Sequence, residues 1–142
     1  MILLDVNIVL AAHRRDHPHH RSARGFIDDL DESSASFGVP MTVWHSFLRL
    51  ATNRRIFEVP TPPADALAFI QAVRAQARHE PCEPGADHLR ILGTLVTRAD
   101  AKGDLVPDAV LAAIAIENAA SLASFDRDFA RFDDLDWVLP GS

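Results

Sequence analysis

Two kinds of hydrophobic pattern alternate along the chain. Short stretches with the composition of strands buried on both faces of a parallel sheet occur at residues 2–6, 34–39, 121–125 and 137–139. Apolar residues three or four positions apart, the period of an amphipathic helix, fall at residues 8–12, 17–30, 40–50, 66–73, 88–101 and 107–120. Residues 80–85 contain two prolines and a glycine and predict a short strand or a turn.

This alternation of strands and helices predicts an α/β fold with a parallel sheet. The 142 residues match the usual size of one domain, so we expect a single domain over residues 1–142. Apolar residues make up 48% and charged residues 24%, which excludes a disordered or fibrous chain.

The charge balance restricts the possible partners. Fourteen basic and twenty acidic side chains give a net charge of −6, so the overall field repels nucleic acids and membrane surfaces. An anionic partner therefore needs a local basic patch. All basic residues except Lys102 are arginines, whose planar, forked donors suit phosphate and carboxylate groups.

The cysteine and hydropathy patterns indicate the compartment. Cys82 is the single cysteine, which excludes an intrachain disulfide or a zinc site built from cysteines, and we predict that it is a small buried apolar side chain. No run approaches the roughly 20 apolar residues of a membrane span, and the N-terminus lacks the pattern of a signal peptide. We expect a cytoplasmic protein without membrane attachment.

Carboxylates stand at the ends of the predicted strands. Asp5 ends the first strand, Asp108 opens the alanine-rich helix, and Asp126 follows the strand at residues 121–125. Parallel sheets place their functional sites at the carboxyl ends of strands, where strand order reverses. Three carboxylates brought to this edge would suit Mg²⁺ or Mn²⁺, which prefer oxygen ligands.

Each carboxylate also has a purely structural interpretation. Asp108 can complement the helix dipole directly after Pro107, and Asp126 can cap a turn before Arg127. Asp5 is harder to explain structurally, because a carboxylate within an apolar strand pays a desolvation cost that requires a partner.

Histidines and arginines form two further candidate groups. His13, His17, His19 and His20 are close in sequence, but the arginines between them favour a solvated helix face over a metal site. A phosphate-contacting strip is predicted from Arg14, Arg15 and Arg49, with ordinary surface as the alternative. Glycine-rich phosphate loops and the G-x-S-x-G motif are absent.

Three segments together resemble the PIN-domain ribonucleases, specifically the VapC toxins of bacterial toxin-antitoxin pairs. They read I-L-L-D-V-N at residues 2–7, P-D-A-V-L-A-A-I-A-I-E at 107–117 and S-F-D-R-D-F at 124–129. The resemblance extends over the whole chain, including F-L-R-L-A-T at 47–52 and D-W-V-L-P at 136–140. It implies an α/β/α sandwich around a central parallel sheet of four or five strands.

The resemblance also implies roles for individual residues. Asp5 and Asp108 would ligate Mg²⁺ or Mn²⁺, Asp126 would hold the ion or its water, and Asn7 would orient Asp5. Many family members carry a Glu early in the third helix where this chain has Ser46. Asp104 and Asp128 are candidates to supply the carboxylate that position 46 lacks.

The implied activity is metal-assisted hydrolysis of RNA, with exposed loops of tRNA or ribosomal RNA as the expected substrate. A metal-activated water would attack the phosphodiester in line. The resemblance further implies a VapB-type antitoxin that inserts an arginine into the acidic pocket, and a homodimer.

Two other functions remain open from the sequence. A PIN module of weak catalytic activity that acts by binding RNA is suggested by Ser46. A small-molecule phosphatase of the haloacid-dehalogenase type also begins with an Asp after its first strand, but that class requires D-x-D, and Asn7 occupies the second position.

Overall fold

The computed structural model describes residues 1–141 and contains four strands and six α-helices within that range. In chain order they are β1 (Ile2–Leu4), α1 (Val6–His13), α2 (His20–Glu32), β2 (Phe37–Gly38), α3 (Met41–Ala51), α4 (Pro63–Arg74), α5 (His88–Ala99), α6 (Leu105–Glu117), β3 (Ser121–Ala123) and β4 (Trp137–Val138), with a 3₁₀ helix (Arg127–Arg131) before β4.

The strands form one parallel sheet in the order β2-β1-β3-β4. Leu3 lies opposite Gly38 on one side and Leu122 on the other. The chain leaves β1 toward β2 and later returns to the opposite side of β1 as β3. The strand order therefore reverses between β1 and β3, and their carboxyl ends border the crevice where parallel sheets bind ligands.

The side chains of the two central strands alternate between two hydrophobic cores. Leu4 and Ala123 pack in the core covered by α1, α2, α3 and α4. Leu3 and Leu122 point to the other face, where α5, α6 and the 3₁₀ helix cover them. Helices on both faces of a parallel sheet make the predicted α/β/α sandwich, with four strands in residues 1–141.

Several element boundaries differ from the predictions because of local hydrogen bonds. The first strand stops at Leu4, because Asp5 already caps α1. Helix α6 begins two residues before Pro107. Proline fits in the first turn because N–H groups there have no partner inside the helix, so its missing N–H costs no hydrogen bond. Residues 80–85, predicted as a short strand or a turn, form neither; His79 makes an isolated parallel bridge with Phe37, and Glu80 N–H donates to Phe37 O at 2.8 Å.

Cys82 is buried as predicted, with 1% of its surface exposed. Burial raises the pKa of its thiol to about 11. The segment passes so close to β2 that a Cβ on Gly38 would lie 2.5 Å from Cys82 Cβ, so glycine is required there. Among residues 1–141, no helix has the length and apolar character needed to cross a membrane.

Candidate metal centre

Asp5 is held at the carboxyl end of β1 by the start of helix α1. Its side chain accepts a hydrogen bond from Val6 N at 2.6 Å as the N-cap of the helix, and its own backbone N–H donates to Ala123 O at 3.1 Å. Only 6% of the residue is exposed. The fold therefore keeps a carboxylate almost buried at the reversal point of the sheet.

Ser124 connects the ends of β1 and β3. Its buried hydroxyl donates to Asp5 Oδ2 at 2.8 Å and accepts from Asn7 Nδ2 and Asp126 N, each at 3.0 Å. Asn7 Oδ1 also accepts from Phe125 N at 3.2 Å. Asn7, predicted to orient Asp5, therefore contacts it through the Ser124 hydroxyl.

Ser124 was not among the site residues predicted from the sequence. The available signal was a hydroxyl residue at the end of a buried strand, directly before a candidate ligand. That signal is weak, because serine at a strand end is also common in turns.

A second group of carboxylates lies beside Asp5. One carboxylate oxygen from each of Asp108, Asp126 and Asp128 lies within 4.8 Å of the others. Asp108 comes from the first turn of α6, and Asp126 caps the 3₁₀ helix by accepting from Asp128 N at 2.9 Å. The tight group thus contains two of the three predicted ligands and the predicted supporting residue Asp128.

Two carboxylates of the site, Asp108 and Asp5, have raised pKa values. Burial is the largest cause for Asp108, whose pKa rises to about 6, and the charges of Asp126, Asp5, Asp128 and Asp104 add to it in that order. Burial also raises the pKa of Asp5, with a smaller contribution from Asp126, although the hydrogen bonds from Ser124 and Val6 oppose the shift. Asp104 is exposed and contributes least to Asp108.

The donor set fits a hard divalent cation. Carboxylate oxygens are the ligands that Mg²⁺ and Mn²⁺ prefer, and a cation would offset both the burial and the neighbouring negative charges that raise the pKa of Asp108. None of the histidines belongs to the group found among residues 1–141. The acidic cluster is therefore typical of a PIN-type metal site.

A pocket of about 390 Å³ opens next to this centre between α3 and α6. Asp5 and Asp108 line one side of it, and the remaining lining is mostly apolar. Ser46 also lines the pocket, so the position where the resemblance implies a Glu does face the candidate metal centre.

The predicted arginine strip is divided between two places. Arg14 and Arg15 follow the far end of α1, whose eight residues separate them from Asp5 by about 12 Å along the helix. Arg14 is already engaged with Asp16 at 2.7 Å, with Thr61 Oγ1 at 3.2 Å and with the Phe57 ring at 4.1 Å. Arg15 is exposed.

Arg49 is exposed on α3, three residues after Ser46, and so lies near the pocket. Within residues 1–141, neither Arg15 nor Arg49 forms an ion pair.

Two of the four histidines predicted to lie on a solvated face are instead engaged with the protein, whereas His19 is exposed. His13 packs against Phe47 and Phe69 and hydrogen-bonds with Thr61 Oγ1 at 3.0 Å. His20 Nδ1 lies 2.8 Å from Ala11 O. These two histidines help to join the first helices to the core.

Comparison with known proteins agrees with this geometry. The sequence-family model of the PIN domain matches residues 2–135 of this chain. The chain is 56% identical over 140 residues to Ribonuclease VapC25 of Mycobacterium tuberculosis, covering 99% of each protein.

Two solved structures share the fold. VapBC2 from Rickettsia felis, bound to a DNA fragment from its promoter, has a TM-score of 0.72 at 18% identity, covering 97% of this chain and 98% of that one. Mycobacterium tuberculosis VapC20, a toxin that cleaves the sarcin-ricin loop, has a TM-score of 0.66 at 16% identity, covering 92% and 93%. The chain belongs to the PIN-domain family, and within it to the VapC ribonucleases.

Proposed function

We propose that this protein is the toxin of a VapBC toxin-antitoxin pair and cleaves RNA as a metal-dependent endoribonuclease. The observation that carries the proposal is the cluster of three carboxylates, from Asp108, Asp126 and Asp128, beside the buried Asp5 at the reversal point of the sheet. The 56% sequence identity to Ribonuclease VapC25 over 140 residues supports the ribonuclease activity.

Asp5, Asp108 and Asp126 are the proposed ligands of Mg²⁺, for which Mn²⁺ can substitute. Asp128 lies close enough to bind the ion or its water, and Asp104 adds negative charge at the rim. A bound ion supplies a Lewis acid for the scissile phosphate and lowers the pKa of an attacking water.

The chain's own residues prepare this site in two ways. Ser124 and Val6 fix the Asp5 carboxylate by donating to both of its oxygens, so the ligand is oriented before any ion arrives. Asp108 lies at the N-terminus of α6, whose dipole favours its ionised form against the repulsion of the neighbouring acids. No covalent protein intermediate is required.

The proposed substrate is a single-stranded or looped segment of structured RNA, such as tRNA or ribosomal RNA. Exposed loops present unstacked bases and phosphates. Because the site itself is acidic, it can bind these phosphates only where cationic groups lie nearby. The unpaired Arg15 and Arg49 are the proposed phosphate contacts, whereas Arg14 would first have to leave Asp16.

The proposed partner is a VapB-type antitoxin. The Rickettsia felis homologue of similar fold was solved as such a complex. An arginine of the antitoxin, placed against Asp108 and Asp126, would form strong charge-assisted contacts and exclude both metal and RNA. We also propose a homodimer, which would bring the arginines of two subunits to one RNA.

Cleavage of total RNA by the purified, antitoxin-free protein tests this function. We expect discrete cuts with 5′-phosphate ends in Mg²⁺ or Mn²⁺, and their loss in Asp108→Asn. Asp133→Asn is the matched control, because Asp133 is exposed and has no ion pair or side-chain hydrogen bond within residues 1–141. RNA that is bound but uncut by the folded, metal-supplemented protein would overturn the assignment as a nuclease and favour a binding module.

A further inference from the structure

The pocket between α3 and α6 has a different chemistry from the acidic centre that it adjoins. Its lining away from the carboxylates comes mainly from Thr42, Val43 and Ser46 on α3 and from Val106, Val110 and Leu111 on α6. No basic side chain lines it. An RNA phosphate would therefore find no basic counter-charge inside this pocket.

Two hydroxyl groups in the pocket have no partner within residues 1–141. The side chains of Thr42 and Ser46 make no hydrogen bond there, although both residues lie on a helix. A hydroxyl inside a helix can donate back to the carbonyl four residues earlier, as Thr94 Oγ1 does to Arg90 O at 3.2 Å and Thr97 Oγ1 does to Gly93 O at 2.8 Å, but Ser46 does not. Thr42 is the second residue of α3 and has no helical carbonyl four positions before it. The two pocket hydroxyls are therefore available to a ligand.

The size and lining of the pocket suit an uncharged planar group. Its volume of about 390 Å³ falls in the range of about 300–1,000 Å³ that is usual for small-molecule sites. Aliphatic walls can pack against the faces of a nucleobase, and hydroxyl groups can both donate to and accept from its edge. Since Asp5 and Asp108 line the same pocket, a base held there would leave its phosphate at the candidate metal centre.

We propose that the α3/α6 pocket binds the unpaired nucleobase next to the scissile phosphate, and that Thr42 and Ser46 read its edge. This inference rests on the proposed nuclease function and adds to it a sequence preference at one nucleotide position beside the cut. An acid at position 46 would add a charge to this wall, whereas Ser46 keeps it neutral. Ser46, which replaces the Glu that the resemblance implies, thereby takes part in base recognition.

Cleavage of a single-stranded RNA library with a randomised central segment tests the proposal. Mapping of the fragment ends in Mg²⁺ should show one base enriched at one position adjacent to the cut. Thr42→Val and Ser46→Ala each remove one hydroxyl with little change in shape, and each should reduce that enrichment about 3- to 10-fold, the value of one neutral hydrogen bond. Thr94→Val is the matched control and should leave the enrichment unchanged, because Thr94 lies on the exposed face of α5.

A second measurement separates the pocket from catalysis. Wild-type protein without metal is titrated with adenosine, cytidine, guanosine and uridine, which carry no phosphate, while the methyl signals of Val106, Val110 and Leu111 are followed by NMR. We expect the enriched base to shift these signals at millimolar nucleoside, and Val110→Phe to abolish the shift by filling the pocket.

The outcomes distinguish this inference from the function on which it rests. Cleavage without a base preference beside the cut, or with a preference that survives both hydroxyl substitutions, would overturn the base pocket and leave the nuclease intact. Absence of any cleavage would count against the proposed function, and the nucleoside titration would then decide the pocket alone. If no cleavage is seen and no nucleoside shifts the methyl signals, the inference is overturned.

Discussion

Replacement of Asp108 by Asn should stabilise the metal-free protein at neutral pH. Burial and the charges of Asp126, Asp5, Asp128 and Asp104 raise the pKa of Asp108 from 3.8 to about 6. The fold therefore favours the protonated carboxyl more than the unfolded chain does. The free energy of unfolding falls as the pH rises from about 4 through about 6, and an uncharged amide avoids this loss.

The magnitude follows from the size of the shift. A change from 3.8 to about 6 corresponds to at most about 3 kcal/mol at about 1.4 kcal/mol per pKa unit. Asp108 is partly exposed, so solvent screening reduces the usable value to about 1–2 kcal/mol. For a chain of this length the melting temperature changes by about 3 °C per kcal/mol, which predicts an increase of about 3–6 °C.

Thermal unfolding in EDTA between pH 4 and pH 8 measures the effect. The curves of wild type and Asp108→Asn should converge near pH 4 and separate as the pH rises. Asp133→Asn, which removes an exposed carboxylate outside the cluster, should follow wild type throughout. An Asp108→Asn protein that is no more stable than wild type at pH 8, or a gain that does not depend on pH, would refute the claim that burial and the neighbouring carboxylates destabilise ionised Asp108.

Three further results are expected. Mg²⁺ at about 100 times its dissociation constant should stabilise wild type by about 2.7 kcal/mol in thermal melts, and Asp5→Asn should abolish this gain; an equal gain in the variant would remove Asp5 from the ligand set. Ser124→Ala should lower the free energy of unfolding in urea by about 1–3 kcal/mol, because Asp5 and Asn7 lose a buried partner; an unchanged midpoint would contradict that role. Cys82 should react with a thiol reagent only after unfolding in guanidinium, since the thiol is buried and its pKa is about 11; rapid labelling of the native protein would contradict it.

The order of the elements could be predicted from the sequence because each strand and helix has its own hydrophobic period. The parallel α/β/α sandwich was confirmed, and strand ends carrying Asp5 and Asp126 do lie at neighbouring positions in the sheet. The exact ends were less predictable, because they depend on caps. Asp5 shortens β1 by starting α1, and no periodicity reports such a hydrogen bond.

The composition of the site was only partly predictable for a similar reason. Sequence position brings Asp5, Asp108 and Asp126 to one edge, but the turn after β3 decides which carboxylates come closest. That turn places Asp128 beside Asp126 and Asp108. The hydroxyl of Ser124 became visible as the link between Asp5 and Asn7 only once the strands were paired.

The arginines show where sequence reasoning cannot decide. Arg14 and Arg15 are adjacent and look equivalent in the sequence. In the fold, Arg14 binds Asp16 and lies over Phe57, whereas Arg15 is exposed. The exposure of Arg14 depends partly on Phe57, about 40 positions away, which the sequence does not place beside it, so a run of arginines predicts charge but not its availability.

Diffraction from crystals soaked in Mn²⁺, recorded at the manganese absorption edge, would show whether these carboxylates hold a metal ion. We expect an anomalous peak with oxygens of Asp108 and Asp126 at about 2.0–2.3 Å and with Asp5 among the remaining ligands, directly or through water. The peak should vanish in Asp108→Asn and persist in Asp133→Asn. Absence of a peak at this edge of the sheet, or a peak on the histidines near His17, would rule out a metal centre built from Asp5, Asp108 and Asp126.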